Sequence, residues 1–355
     1  MIEEQFTKVK AMVFPRVVLA GHGVIRKTGD VVVELKLGRK ALLVTGGRTS
    51  AIAGRRVAKL LEKSSKTVRI ELSGQATKSN LDLLVEKARA FAPDVVLGVG
   101  GGSKIDLAKM TARIVGSEFV SVPTSASHDG ISSPRASIKV NGISSSLEGA
   151  PPIAIIADTQ VISRAPYRML AAGCADVLSN ASALRDWEIA VKAGRESMST
   201  TAYALSSYAC NSIMRDAGRI RKNHETSTWL AVRPIIASGL AMGVAGSSRP
   251  ASGSEHLFSH ALDSMQSGGA MHGEQCGVGA IMMTAYQGGD WKGIREALRK
   301  LGCPTDARGL GVTPETVVEA LLRARSIRED RYTILDRKPF TKQSAMSLAR
   351  RTMVI

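Results

Sequence analysis

The chain has 355 residues, 44% of them apolar and only 4% aromatic, with a net charge of +17. The length fits two domains or one large one with a sizeable core; there is no run of about 18 apolar residues to span a membrane, and the opening MIEEQFTKVK lacks the basic-then-apolar pattern of a secretion signal. The charge favours anionic substrates, but it is spread evenly, +9 over residues 1–161 and +8 beyond, and the few aromatics offer little stacking surface, so no nucleic-acid partner is expected.

In chain order, strand-like apolar runs at 16–20, 41–45, 67–72, 94–99 and 118–122 alternate with helix-period runs at 50–62, 79–91 and 103–115. Such alternation with short connections predicts an α/β domain with a parallel sheet and helices on both faces. The near-continuous Val, Leu and Ile content suits strands buried on both sides. A Ser/Pro/Gly-rich stretch, 123–152, follows, with a hairpin expected at Asn141-Gly142 between 137–140 and 143–147. A last strand at 153–157 ends at Asp158. Past about residue 160 the strand signals fade. Segments of helical spacing take over at 167–193, 199–221, 226–245, 254–265, 273–287, 291–301, 314–324 and 344–352, and predict an all-α second domain. The expected division is therefore 1–160 and 161–355. The four cysteines, Cys174, Cys210, Cys276 and Cys303, form no CxxC and read as reduced thiols in a cytoplasmic protein.

Three places carry chemistry. Gly100-Gly101-Gly102-Ser103-Lys104 joins a buried strand to a helix. A turn without side chains, ending on a helix N-terminus, makes a nest of N–H groups for an anion. It is not GxGxxG and does not follow the first strand, so a plain tight turn is the alternative. The loop 123–133, at the carboxyl end of the expected sheet, offers Thr124, Ser125, Ser127, Ser133 and Asp129 to a ligand, or forms ordinary Ser and Asx turns. Finally, His256 and His260 stand four apart on one helix face, and His272 follows a Gly268-Gly269 break. A catalytic zinc needs three protein ligands and an open position, with Asp176 a candidate for the third beside His256 and His272. The alternative is histidines with ordinary hydrogen bonds. After 41–45 the chain reads Gly46-Gly47-Arg48-Thr49, with no acid to hold the ribose hydroxyls of NAD. Arg48 either meets a 2′-phosphate, making NADPH at least as good as NADH, or is a solvated surface residue.

The segments GVGGGSKIDLAK, VPTSASHDGISSPRASI, AAGCADVLSN, SGSEHLFSHALD and AMHGEQCGVG occur in this order. Together they resemble the archaeal sn-glycerol-1-phosphate dehydrogenases over roughly residues 15–327. That family lies in the wider group of iron-dependent alcohol dehydrogenases, glycerol dehydrogenase and 3-dehydroquinate synthase. The resemblance implies a Rossmann-like dinucleotide-binding domain followed by a helical metal- and substrate-binding domain, as in dehydroquinate synthase. It implies Zn2+ on Asp176, His256 and His272, and catalysis by these with His260. It implies NAD(P)H on Gly100, Gly101, Gly102, Ser103 and Lys104, with Thr124, Ser125, Ser127 and Ser133. Asp129, Asp176 and His260 would contact the substrate, dihydroxyacetone phosphate or sn-glycerol 1-phosphate, for archaeal phospholipid backbone synthesis. A homo-oligomer is expected from the relatives. The rival readings are another metal-dependent polyol dehydrogenase, a dehydroquinate synthase-like cyclase and, more distantly, a basic nucleic-acid-binding protein.

Overall fold

The computed structural model describes residues 11–140, 143–222 and 224–355. Its first part alternates β1 (Val17–Gly21), α1 (Thr28–Glu34), β2 (Lys40–Thr45), the single turn α2 (Gly47–Thr49), α3 (Arg55–Lys63), β3 (Thr67–Leu72), α4 (Lys78–Phe91), β4 (Val95–Gly100), α5 (Gly102–Val115) and β5 (Glu118–Pro123). The antiparallel pair β6 (Arg135–Val140) and β7 (Ile143–Glu148) follows, then β8 (Ala154–Asp158). The expected Asn141-Gly142 turn lies outside the described residues.

Six strands form one all-parallel sheet in the order β1-β8-β5-β4-β2-β3. Every residue of β4 is buried, as are all but the first of β2 and β5. Leu43 and Leu97 feed the apolar layer on one face, and Leu42, Ile105 and Phe119 the layer on the other. Residue alternation along a strand sends successive side chains to opposite faces, which is why these runs read as continuously apolar. From β3 the chain crosses back over β2 to β4 and then continues outward to β5. The direction of winding thus reverses between β2 and β4, and such a switch point leaves a crevice at the carboxyl ends of the strands. Gly46, the first residue past β2, and Gly100, the last of β4, stand there.

The helical part comprises α6 (Thr159–Ile162), α7 (Tyr167–Leu178), α8 (Asn180–Lys192), α9 (Thr200–Asp216), α10 (Glu225–Ala245), α11 (Ser254–Ser264), α12 (His272–Tyr286), α13 (Trp291–Leu301), α14 (Ala307–Leu310), α15 (Pro314–Ile327), α16 (Ile334–Arg337) and α17 (Lys342–Arg351). The run expected as one helix over 167–193 is two, parted at Ser179, whose hydroxyl turns back to the Asp176 carbonyl at 2.6 Å. By length and composition α10 is apolar enough to cross a membrane, but 67% of that window is buried inside the protein.

Two compact units result, one of residues 13–170 with 222–239, the other of 171–221 with 240–355. Residues 161–170 and 222–239, expected with the helical domain, belong with the sheet. Hydrogen bonds explain the second segment. Thr159 donates its hydroxyl to Glu225 at 2.5 Å, Ser132 donates to the Ile236 carbonyl at 3.1 Å, and Ser238 donates to Asp129 at 2.7 Å.

Candidate active site

In the sheet unit the glycine turn opens α5. Gly101 is its N-cap and, having no side chain, leaves that end uncapped; its φ of −78° is open to any residue. The glycines are needed for close approach instead. A Cβ on Gly102 would lie 2.1 Å from His128 Nε2, one on Gly101 2.9 Å from Ser125 Oγ, and one on Gly100 2.7 Å from Lys104 Cβ. The loop after β5 therefore lies directly on the turn, with Thr124 N donating to Gly100 O at 2.9 Å. Uncapped N–H groups at a helix start, with no Cβ over them, suit a diphosphate. Ser103 is exposed and Ser127 half-buried; Thr124, Ser125 and Ser133 are buried. Ser133 is engaged by its own chain, accepting from Arg135 N at 3.2 Å. The half-buried Lys104 reaches the Gly74 carbonyl, and burial lowers its pKa.

Below this loop lies a buried cation that the sequence reading passed over. Lys109, on α5, is fully buried and donates to the carbonyls of Gly130 at 2.7 Å and Arg135 at 2.5 Å. Its ion-pair partner Asp106 is 3.5 Å away and accepts from Ser137 N at 3.2 Å. Burial lowers the Lys109 pKa and Asp106 opposes that fall. Together they brace both ends of the segment 130–137.

In the helical unit Asp176 on α7, His256 on α11 and His272 and Cys276 on α12 converge, with one donor atom from each lying within 4.8 Å of the others. Small residues bring the helices together. A Cβ on Gly273 would fall 2.0 Å from the Ala172 carbonyl of α7, and one on Gly279 2.9 Å from the Glu255 carbonyl of α11. His256 Nε2 and His272 Nε2 stand 3.7 and 3.8 Å from the same Asp176 oxygen, Oδ1. Those separations are long for hydrogen bonds and close to the roughly 3.4 Å between ligands of one tetrahedral ion with ~2.1 Å bonds.

The ring orientations are set from behind. His256 Nδ1 donates to Glu255 Oε1 at 2.8 Å, an oxygen already held by Gly253 N at 2.6 Å. His272 Nδ1 lies 3.2 Å from Ser259 Oγ, and Ser259 donates its own proton to Gln275 Oε1 at 2.7 Å. A hydroxyl that donates to Gln275 accepts from His272, so each ring is anchored at Nδ1 and presents its Nε2 to Asp176. This is the outer support that imidazole ligands of a metal need. Burial raises the Glu255 pKa, but the hydrogen bond and charge of His256, with the backbone N–H of Gly253, together outweigh it and leave Glu255 below the ordinary glutamate value. The donor set thus fits a metal ion on three counts: residue type, spacing and ring orientation.

His260 stands beside this cluster and outside it, its ring centroid 6.4 Å from that of His256 and 5.8 Å from that of His272. Burial, then the charges of His256, Arg328 and Arg331, push its pKa down to about 4, so it is neutral at neutral pH. Cys276 Sγ is 3.5 Å from His272 Nε2, and burial pushes its pKa up to about 11. Asp129, expected with the substrate, is half-buried and accepts from Ser238. Glu255 and Cys276 were not singled out from sequence. Their signals were present: an acid directly before His256, and a thiol one helical turn after His272.

A family model described as iron-containing alcohol dehydrogenase matches residues 19–166. The chain is 50% identical over 346 residues to glycerol-1-phosphate dehydrogenase (NAD(P)+) of Methanosarcina mazei, spanning 98% of this chain and 97% of that protein. It is 44% identical over 351 residues to the protein of the same name from Thermoplasma volcanium, spanning 99% and 100%. Among solved structures, glycerol dehydrogenase from Schizosaccharomyces pombe superimposes with a TM-score of 0.81 at 21% identity, covering 99% of this chain and 92% of that one. Sulfoacetaldehyde reductase from Bifidobacterium kashiwanohense in complex with NAD+ gives 0.77 at 15% identity, covering 98% and 99%. At such identities these two likenesses speak for the fold.

Proposed function

The chain belongs to the glycerol-1-phosphate dehydrogenase family, and on that premise we propose that it reduces dihydroxyacetone phosphate to sn-glycerol 1-phosphate with NADH or NADPH, using a zinc ion held by Asp176, His256 and His272. The observation that carries the metal part is the pair of Nε2 atoms turned to Asp176, each ring held at its Nδ1 by a side chain. Two imidazoles and a carboxylate, with a thiol close by, suit zinc, and three ligands leave a position for substrate. When bound, such an ion polarises a carbonyl and stabilises negative charge on its oxygen.

The chain's own residues do the rest. The glycine turn binds the cofactor diphosphate through backbone N–H groups, with Thr124, Ser125, Ser127 and Ser133 in the adjoining loop and Lys104 adding charge. The Asp106–Lys109 pair keeps that loop in place, and Asp129 takes a substrate hydroxyl. His260, being neutral, accepts or donates a hydrogen bond at the substrate and does not act as a strong acid. Held on the glycine turn, NAD(P)H would be the hydride donor for the ketone carbon. A cytoplasmic homo-oligomer belongs to the same proposal, and light scattering of the purified protein tests it.

His256→Ala and His272→Ala test the metal assignment. Each is expected to lose bound zinc, measured by elemental analysis, together with ketone reduction. Near-normal turnover in a variant free of metal would overturn it.

A further inference from the structure

The proposed substrate carries a phosphate, a dianion near neutral pH, which needs cations that are not already neutralised. In the helical unit Arg331 stands apart. It is only 6% exposed, yet its guanidinium meets neutral acceptors, the Ser252 carbonyl at 2.9 Å and the Ser248 hydroxyl at 2.7 Å. Its neighbour Arg249 is equally buried but is matched in charge, forking onto Glu196, with 2.6 Å from Nε to Oε2. Arg328, at the C-cap of α15, is two-thirds buried and forks onto the exposed Asp330 at 2.9 and 3.4 Å. A buried guanidinium whose hydrogen bonds go only to neutral groups is costly unless an anion reaches it, and the Glu196 and Asp330 carboxylates act on Arg331 only from a distance.

Position supplies the rest. Ser248 and Ser252, which hold Arg331, lead directly into α11, and α11 packs along α15. Helix α11 carries His256 and, one turn on, His260. The charges of Arg328 and Arg331 both bear on the His260 ring, and His260 Nδ1 is buried with no hydrogen-bond partner among the described residues. Two guanidiniums and a ring nitrogen with unused hydrogen-bonding capacity thus gather where α11 and α15 pack.

We propose that Arg328 and Arg331 form the subsite that recognises the substrate phosphate, with His260 at its border. Arg328 exchanges the solvent-exposed Asp330 for the phosphate, and Arg331, with no carboxylate in contact among the described residues, contributes its charge from a fixed position. The inference rests on the reading of a phosphorylated ketone as substrate.

The test uses the metal-loaded protein, Arg328→Gln, Arg328→Lys and Arg331→Lys, with dihydroxyacetone phosphate and unphosphorylated dihydroxyacetone as substrates. Inorganic phosphate binding is measured by calorimetry in parallel. In Arg328→Gln, kcat/KM for the phosphorylated ketone is expected to fall about 10- to 100-fold, chiefly through KM. That fall should exceed the change for dihydroxyacetone by at least about tenfold, phosphate binding should weaken alongside, and Arg328→Lys should recover part of both. Equal losses for the two ketones, or phosphate binding untouched in every variant, would overturn the subsite. If the parent protein reduces neither ketone yet binds phosphate in an Arg328-dependent way, the subsite stands and the functional reading falls.

Discussion

Gly273→Ala puts the helix packing behind the metal cluster to a quantitative test. A Cβ there would meet the Ala172 carbonyl oxygen at 2.0 Å, its carbon at 2.8 Å and Asp176 Cβ at 3.2 Å. The first two are backbone atoms of α7, so no flexible side chain can swing away. Restoring even a 3.0 Å contact moves α12 and α7 apart by about 1 Å, whereas metal–ligand bonds tolerate about 0.2 Å. His272 rides on one helix and Asp176 on the other, so the ligand set opens. The overpacking itself is expected to cost about 1–3 kcal/mol, and the altered ligand support about 10- to 100-fold or more in metal affinity. Gly277→Ala is the milder control, because its nearest contacts are the Leu298 side-chain tip at 3.0 Å and Ala175 Cβ at 3.2 Å. The assay is metal content after dialysis against graded chelator, with circular dichroism and thermal melts to confirm folding. A Gly273→Ala protein with the parent's metal retention and melting temperature would refute the reasoning.

Cys276→Ala separates an open site from a closed one: with three ligands in Asp176, His256 and His272, it should keep its metal and most of its activity, and metal loss as complete as in His256→Ala would make the thiol a fourth ligand. Arg48→Ala, at an exposed position just past β2, should lower kcat/KM for NADPH about tenfold relative to NADH, the scale of one charged hydrogen bond; an unchanged ratio would return Arg48 to the solvated surface. Glu71 gives a pH signature. Burial raises its pKa, but Lys87 at 2.7 Å and Arg69 at 2.8 Å outweigh that and hold it below the ordinary 4.5. A folded-state value below the unfolded one adds stability above about pH 4.5 that is lost as pH falls through the lowered value. Both partners are 40% or more exposed, so the contribution is about 1 kcal/mol. Urea midpoints at pH 7 and pH 3 should differ less in Glu71→Gln than in the parent, and parallel shifts would contradict the assignment.

The parallel sheet was legible because Val95–Gly100 and its neighbours are buried on both faces, which writes an unbroken apolar run into the sequence. The break at Ser179 was not, because Ala and Leu keep the helical period on either side and only a hydroxyl bond to Asp176 marks it. His256 and His260 were rightly placed on one helix, but spacing alone gave them a shared environment. The fold sets His256 against Asp176, and leaves His260 buried within reach of the charges of Arg328 and Arg331. Lys109 and Asp106 stayed hidden for a different reason: both look like solvated positions on an amphipathic helix, and only the loop folded over α5 buries them. The return of 222–239 to the sheet unit is likewise a tertiary effect, carried by Glu225, Ile236 and Ser238.

The most direct test of the proposed activity is to incubate the metal-loaded protein with dihydroxyacetone phosphate and NADH or NADPH, and to resolve the glycerol phosphate enantiomers formed. The expected result is sn-glycerol 1-phosphate alone, in amounts equal to the reduced nicotinamide consumed, with turnover lost on chelation and regained with zinc. Formation of sn-glycerol 3-phosphate, or no reduction of this ketone by protein that holds its metal, would contradict it.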